Sequence, residues 1–205
     1  GRALSGITVS AGSHGSATTG ASGVYTITDL LPGTYAVSPT TGGHFWSPEA
    51  RTVTVPPDAT GQHYVGRNTR KLSSLAPSRP LKFAESITYT VAAVYPDARD
   101  AVFYDPVPTH TSYISGSLAG PAGMAYDPTT DAISGTLTLS AGVPQTVAFG
   151  VRVEVTGTAE SAPVITNRAC VHQEGGGPSD CQWSNQVVNF TRVCPVYVPV
   201  IIREP

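Results

Sequence analysis

Lysine is almost missing from this chain: Lys71 and Lys82 are the only two. Charged residues of every kind make up 13% of the 205 residues, and the formal net charge is −2. Nucleic acid and anionic membranes both favour a basic partner, so neither is expected here. Amphipathic helical periodicity is also lacking, and no apolar run is long enough to cross a bilayer as a helix. No membrane insertion is expected. A charged n-region with an apolar h-region is absent from the start, and "GRALSGITVSAG" already alternates like a strand. The chain therefore reads as an exported product whose signal has been removed.

Catalytic signatures are equally scarce. The five histidines (His14, His44, His63, His110 and His172) stand singly, without the i, i+2 or i, i+4 spacing of a metal pair. There is no Gly-x-Ser-x-Gly elbow. Asp127 and Asp131 in "DPTTD" lack the run of oxygen ligands a hard cation needs, and read as a polar turn. Neither an enzymatic activity nor a cofactor is expected. "NFT" at Asn189 is a glycosylation sequon of a length that matches often by chance.

Short Thr-, Ser- and Val-rich runs are abundant, separated by turn residues that include 21 Gly and 18 Pro. Such spacing predicts an all-β protein: two Ig-like, Greek-key β-sandwiches in tandem, then an extended C-terminal β-strand. Residues 1–66 form the first unit, with runs "LSGITVSA", "GVYTITDL", "GTYAVSPT", "RTVTVPP" and "QHYVG". Residues 67–80 read as a basic, Pro- and Ser-rich linker. Residues 81–193 form the second sandwich, and residues 194–205 the apolar tail.

Cys170 and Cys181 flank "VHQEGGGPSD", a turn-rich stretch between two strand-like runs. Paired antiparallel strands bring Cα atoms within disulfide range, so these two are expected to be bonded. Cys194 is left over, either a buried small hydrophobe or an intermolecular bridge.

The tail "CPVYVPVIIREP" is apolar on both parities. Cys194, Val196, Val198, Val200 and Ile202 share one face; Tyr197 and Ile201 share the other with Pro195 and Pro199. The prolines weaken one hydrogen-bonding edge and leave the other whole, which suits a strand donated to a neighbour. The expected partners are other copies of the same chain, joined head-to-tail into an extracellular filament. A non-polymerising stalk or adhesin is the alternative. A glycan-binding module would instead use Trp46, Tyr95, Tyr104 or Trp183 as stacking platforms.

Three stretches resemble known families. Gly23, Tyr25, Leu30, Pro32, Gly33, Tyr35, Val37 and Pro39, with "FWSP" at Phe45 to Pro48, follow the spine of the carboxypeptidase regulatory-like and Cna protein B-type sandwiches. In the second unit the pattern is Tyr89-Thr90-Val91, Asp105 with Pro108, Tyr113 to Ser117, and Ile165, Asn167, Ala169 and Val171. It resembles the bacterial surface-repeat family called domain of unknown function eleven, although "YPDARD" replaces that family's Asn-x-Gly turn. "VYVPVIIR" resembles a VYLPLVLR-type tail of secreted proteins from filamentous bacteria. These resemblances imply a secreted or cell-surface spacer. Some members of families similar to both units form an intramolecular Lys–Asn isopeptide bond beside an acid in an apolar core. For this chain the resemblance implies Lys82, Asn167 and Asp105, with Glu154 as the other candidate acid. The alternative is a solvated Lys82 at the linker edge.

Overall fold

The computed structural model describes residues 3–40, 43–77, 79, 81–155, 163–176 and 178–190. Among them every regular element is a strand apart from two short 3-10 turns, and no helix is long and apolar enough to cross a membrane. The all-β expectation is met.

The first unit contains β1 (Thr8–Ser10), β2 (Ser16–Thr18), β3 (Gly33–Pro39), β4 (Phe45–Ser47), β5 (Arg51–Val55) and β6 (Val65–Arg67). One antiparallel sheet has the order β2-β1-β3-β5, and β4 pairs with β6. Alternation in "GTYAVSP" turns Tyr35, Val37 and Pro39 inward, where Tyr35 and Val37 pack with Val9, Ala11 and Val53. The run "GVYTITDL" differs from expectation. Tyr25, Ile27 and Leu30 pack against the core, yet residues 24–30 join no backbone ladder. The segment docks by its side chains, and the Tyr25 hydroxyl donates to the Gln62 carbonyl at 3.0 Å.

The second unit contains β7 (Thr69–Ser73), β8 (Ser86–Ala93), β9 (Arg99–Pro106), β10 (Thr111–Tyr113), β11 (Ala125–Asp127), β12 (Ala132–Leu139), β13 (Gln145–Val153), β14 (Val164–Asn167), β15 (Cys170–Gln173), β16 (Gln182–Trp183) and β17 (Val187–Phe190). Its sheets have the orders β10-β13-β8-β7 and β11-β12-β9-β15-β16, and β14 pairs with β17. Period-2 patterning turns Ile87, Tyr89, Val91 and Ala93 of β8 inward. Val147, Phe149, Val151 and Val153 of β13 do the same, as do Ala101 and Phe103 of β9. Fully burying side chains of this kind stabilises by about 1.5–3 kcal/mol each, which gives the sandwich its driving force.

The stretch expected to be a solvated linker does something else. Thr69–Ser73 is strand β7, paired antiparallel with β8 in the register Lys71↔Val91. Asn68 alone separates β6 from β7. Its Nδ2 donates to the carbonyls of Gly43 (3.0 Å) and Val94 (3.1 Å), so one side chain ties both units. Gly43 has φ +73°, and a Cβ there would meet the Pro96 nitrogen at 2.4 Å, so the close approach requires glycine.

Candidate functional site

Alternation fixes the site. On β9 the inward parity that carries Ala101 and Phe103 continues to Asp105. On β14 it carries Ile165 and then Asn167, and on β7 it carries Thr69 and then Lys71. Lys71 and Asp105 are wholly buried and Asn167 nearly so. The Lys71 Nζ donates to Asp105 Oδ2 in a short ion pair between two completely buried side chains. Tyr89 and Phe149, directly opposed across β8 and β13, form the floor: the Lys71 ammonium lies 4.7 Å and 5.1 Å from their ring centroids.

This environment pushes the two ionisations together. Burial lowers the Lys71 pKa to about 8 against the attraction of Asp105. Burial likewise raises Asp105 to about 6, opposed by Lys71 and then by Asn167. Burial together with the charge of Asp105 also raises Tyr89, which stays a neutral phenol. Asn167 sits close enough to act on Asp105, yet its Nδ2 completes no hydrogen bond, and neither does Asp105 Oδ1. An unpartnered buried polar group costs about 1–3 kcal/mol. A dry amine–acid pair facing an unsatisfied primary amide is a reactive arrangement.

Two of the three residues implied for an isopeptide bond are therefore brought together, and one is not. Lys82 is exposed, outside any strand, with its backbone N–H donating to Glu85 Oε2 at 3.0 Å. Lys71 takes its place, because β7 rather than the chain around Lys82 forms the edge beside β8. Glu154 accepts from the Ser112 hydroxyl at the surface, 2.8 Å away, and is no partner of this cluster.

Cys170 and Cys181 are disulfide-bonded, with Cα atoms 5.3 Å apart. The tail residues Cys194, Val196, Tyr197, Val198, Val200, Ile201 and Ile202 lie outside the described residues. Asn189 is completely buried, with Oδ1 accepting from the Tyr89 hydroxyl at 3.4 Å, so its sequon is closed to a glycan in the folded chain. Of the aromatic platforms, Tyr95 belongs to the core, and Trp46 is half-buried with Nε1 donating to Thr40. Tyr104 and Trp183 are exposed on either side of Cys170. No group of three or more metal-ligating side chains occurs among the described residues.

No protein-family model matches the chain, and no curated protein does. Among solved structures it is similar to BcpA, the major pilin subunit of Bacillus cereus, with 13% identity and a TM-score of 0.46. That match covers 93% of this chain and 65% of the pilin, so the chain spans about two thirds of that protein's length. It is also similar to domains D2 and D3 of the major pilin SpaD from Corynebacterium diphtheriae, with 18% identity and a TM-score of 0.44. There 60% of this chain and 52% of that one are covered. A third is the collagen-binding domain of a Staphylococcus aureus adhesin, with 8% identity, a TM-score of 0.39, and coverage of 62% and 97%.

Proposed function

We propose that this chain is a structural module of an extracellular bacterial fibre or surface stalk, locked internally by an amide between Lys71 Nζ and Asn167 Cγ. The observation that carries the reading is the buried Lys71–Asp105–Asn167 cluster with its two unpartnered atoms. The disulfide adds support, since such bonds persist in oxidising compartments outside the cell.

The chemistry balances without any co-reactant. Asp105 takes a proton from the Lys71 ammonium and leaves a free amine. The amine adds to Asn167 Cγ, and the bond from Cγ to Nδ2 breaks. A proton shed by the adding nitrogen passes through Asp105 to Nδ2, which departs as ammonia. The product is a secondary amide beside a neutral Asp105 carboxyl. Two buried charges and one unsatisfied donor disappear together, which favours the product in a dry core. Loop closure adds to this. On the scale known for disulfides, a link spanning roughly a hundred residues contributes about 4–5 kcal/mol.

Intact-mass measurement tests the proposal. The native chain should weigh one ammonia less than its sequence, after allowance for the disulfide, and Asp105→Ala should restore the full mass. A native chain of full mass would end this reading.

In the fibre form, the tail of residues 194–205 adds as a strand to a second copy. Two features support it: the alternation of the tail, and an open cleft of about 1450 Å³ lined by the exposed Val24 and Val65 and the partly buried Ile7 and Ile27 of the first unit. Deleting residues 195–205 should leave a folded monomer where the full chain forms filaments by negative-stain imaging. Filaments that persist after the deletion would refute strand donation and leave the stalk.

A further inference from the structure

The Lys71–Asn167 reaction needs two strands held in register although they are not neighbours in any ladder. β7 is the edge strand of one sheet, and Asn167 ends β14, which among the described residues pairs with β17 alone. What sets Lys71 against Asn167 lies elsewhere in the chain. We propose that Ser184 and Asn185 form a jig that fixes the spacing of the two reactive residues, with Asn185 the positioning residue for Lys71. The inference rests on the amide reading above.

Antiparallel pairing directs the N–H and C=O of one residue to the same side. Those of Lys71 point away from β8, and Asn185 meets both: its Oδ1 accepts from the Lys71 N–H at 2.8 Å, and its Nδ2 donates to the Lys71 carbonyl at 2.8 Å. One side-chain amide thus replaces a missing strand at the residue whose amine must be aimed. The preceding residue grips the other reactant. Ser184 is fully buried, its N–H donates to the Ala169 carbonyl at 2.9 Å, and its Oγ accepts from the Ala169 N–H at 3.1 Å. Ala169 lies two positions from Asn167. The Ser184 hydroxyl donates in turn to the Asn185 carbonyl at 2.8 Å, which stiffens the dipeptide. Beyond it the chain enters β17, where Val187 pairs with Asn167 itself. Adjacent residues therefore hold the amine-bearing and amide-bearing segments at once.

An error of about 1 Å in such an alignment is worth roughly a hundredfold in rate. The test uses the full chain made by cell-free synthesis, quenched in acid at intervals and weighed intact. Asn185→Ala should slow ammonia loss by about ten- to a hundredfold among folded molecules, and Ser184→Ala should slow it less. Asn185→Asp supplies a readout that a merely structural role would not move. Its protonated carboxyl offers the same acceptor and donor as the amide, whereas its ionised form offers no donor. The rate of Asn185→Asp relative to the native chain should therefore recover as pH falls, while that of Asn185→Ala stays low. Melting the same variants in an Asp105→Ala background, which cannot react, measures their structural cost separately. Native rates in Asn185→Ala, or a relative rate for Asn185→Asp that ignores pH, would overturn the jig while the amide reading stands. Should the native chain never lose ammonia, the amide reading falls first and the jig with it.

Discussion

The two units are held in different ways. Among the described residues the second packs twenty buried hydrophobic side chains into one cluster, and the first packs five. The first unit adds hydroxyls that pin its loops. Tyr35 donates to the Leu31 carbonyl (2.6 Å), Tyr64 to that of Val37 (2.7 Å), and Thr19 to that of Leu4 (2.7 Å). Only a core as large and dry as that of the second unit can depress a lysine and raise an aspartate together. The difference teaches that the ionic cluster is a property of the core around it, and the first unit has no room for one.

Substitutions can widen or collapse this contrast. The largest effect is expected for Lys71→Ala, which removes the proposed amide and leaves Asp105 alone in the core. The second unit should lose about 5 kcal/mol or more while the first unfolds as before, seen as a shift in only one of two denaturation steps. Cys170→Ser with Cys181→Ser opens a loop spanning 11 positions and should cost the second unit about 3 kcal/mol. The same two-step denaturation reads it.

Asn167→Ala keeps the ion pair and prevents the proposed amide, and so exposes the pair's pH dependence. With Asn167 present the folded Asp105 pKa is raised from 3.8 to about 6, and the variant also loses the lowering influence of Asn167. The folded state therefore holds its proton longer, and stability falls as pH rises through that window. Lys71 is lowered from 10.5 to about 8, so the unfolded state binds the proton more readily and stability returns between pH 8 and 10.5. A trough from about pH 6 to 8, on the order of 2–3 kcal/mol deep, should appear in urea titrations. Ammonia loss in the native sequence should be fastest in that same window, where the pair shares a single proton. Tyr64→Phe should give the smallest effect, about 1 kcal/mol, confined to the first unit and checked by its melting step.

Much of the fold could be read from alternation. "ESITYTVAAVYP" and "PQTVAFGVRVEV" each announce their inner face, and Cys170 and Cys181 announced their bond. The site was half legible. Asp105 and Asn167 stood out by resemblance, but Lys71 sat in a basic stretch that looked solvated. β7 inverts the usual polarity, with Leu72 half exposed and Lys71 fully buried, so a hydrophobicity rule reads the strand inside out. The available signal was parity, since Thr69, Lys71 and Ser73 form one alternate set against Arg70 and Leu72. Asn185 had none, because a side chain that imitates a strand edge leaves no pattern in the residues around it. The unladdered run at residues 24–30 was misjudged for the opposite reason: its alternation is real, but alternation records which face packs and says nothing of who pairs.

Asn68 gives the junction a mechanical character. A single residue spans from one sandwich to the next, and its side chain is already committed to both sides, so there is no slack to pay out when the ends are drawn apart. Tension should pass through this point as through a strut, and the thinly cored first unit should give way before the joint does.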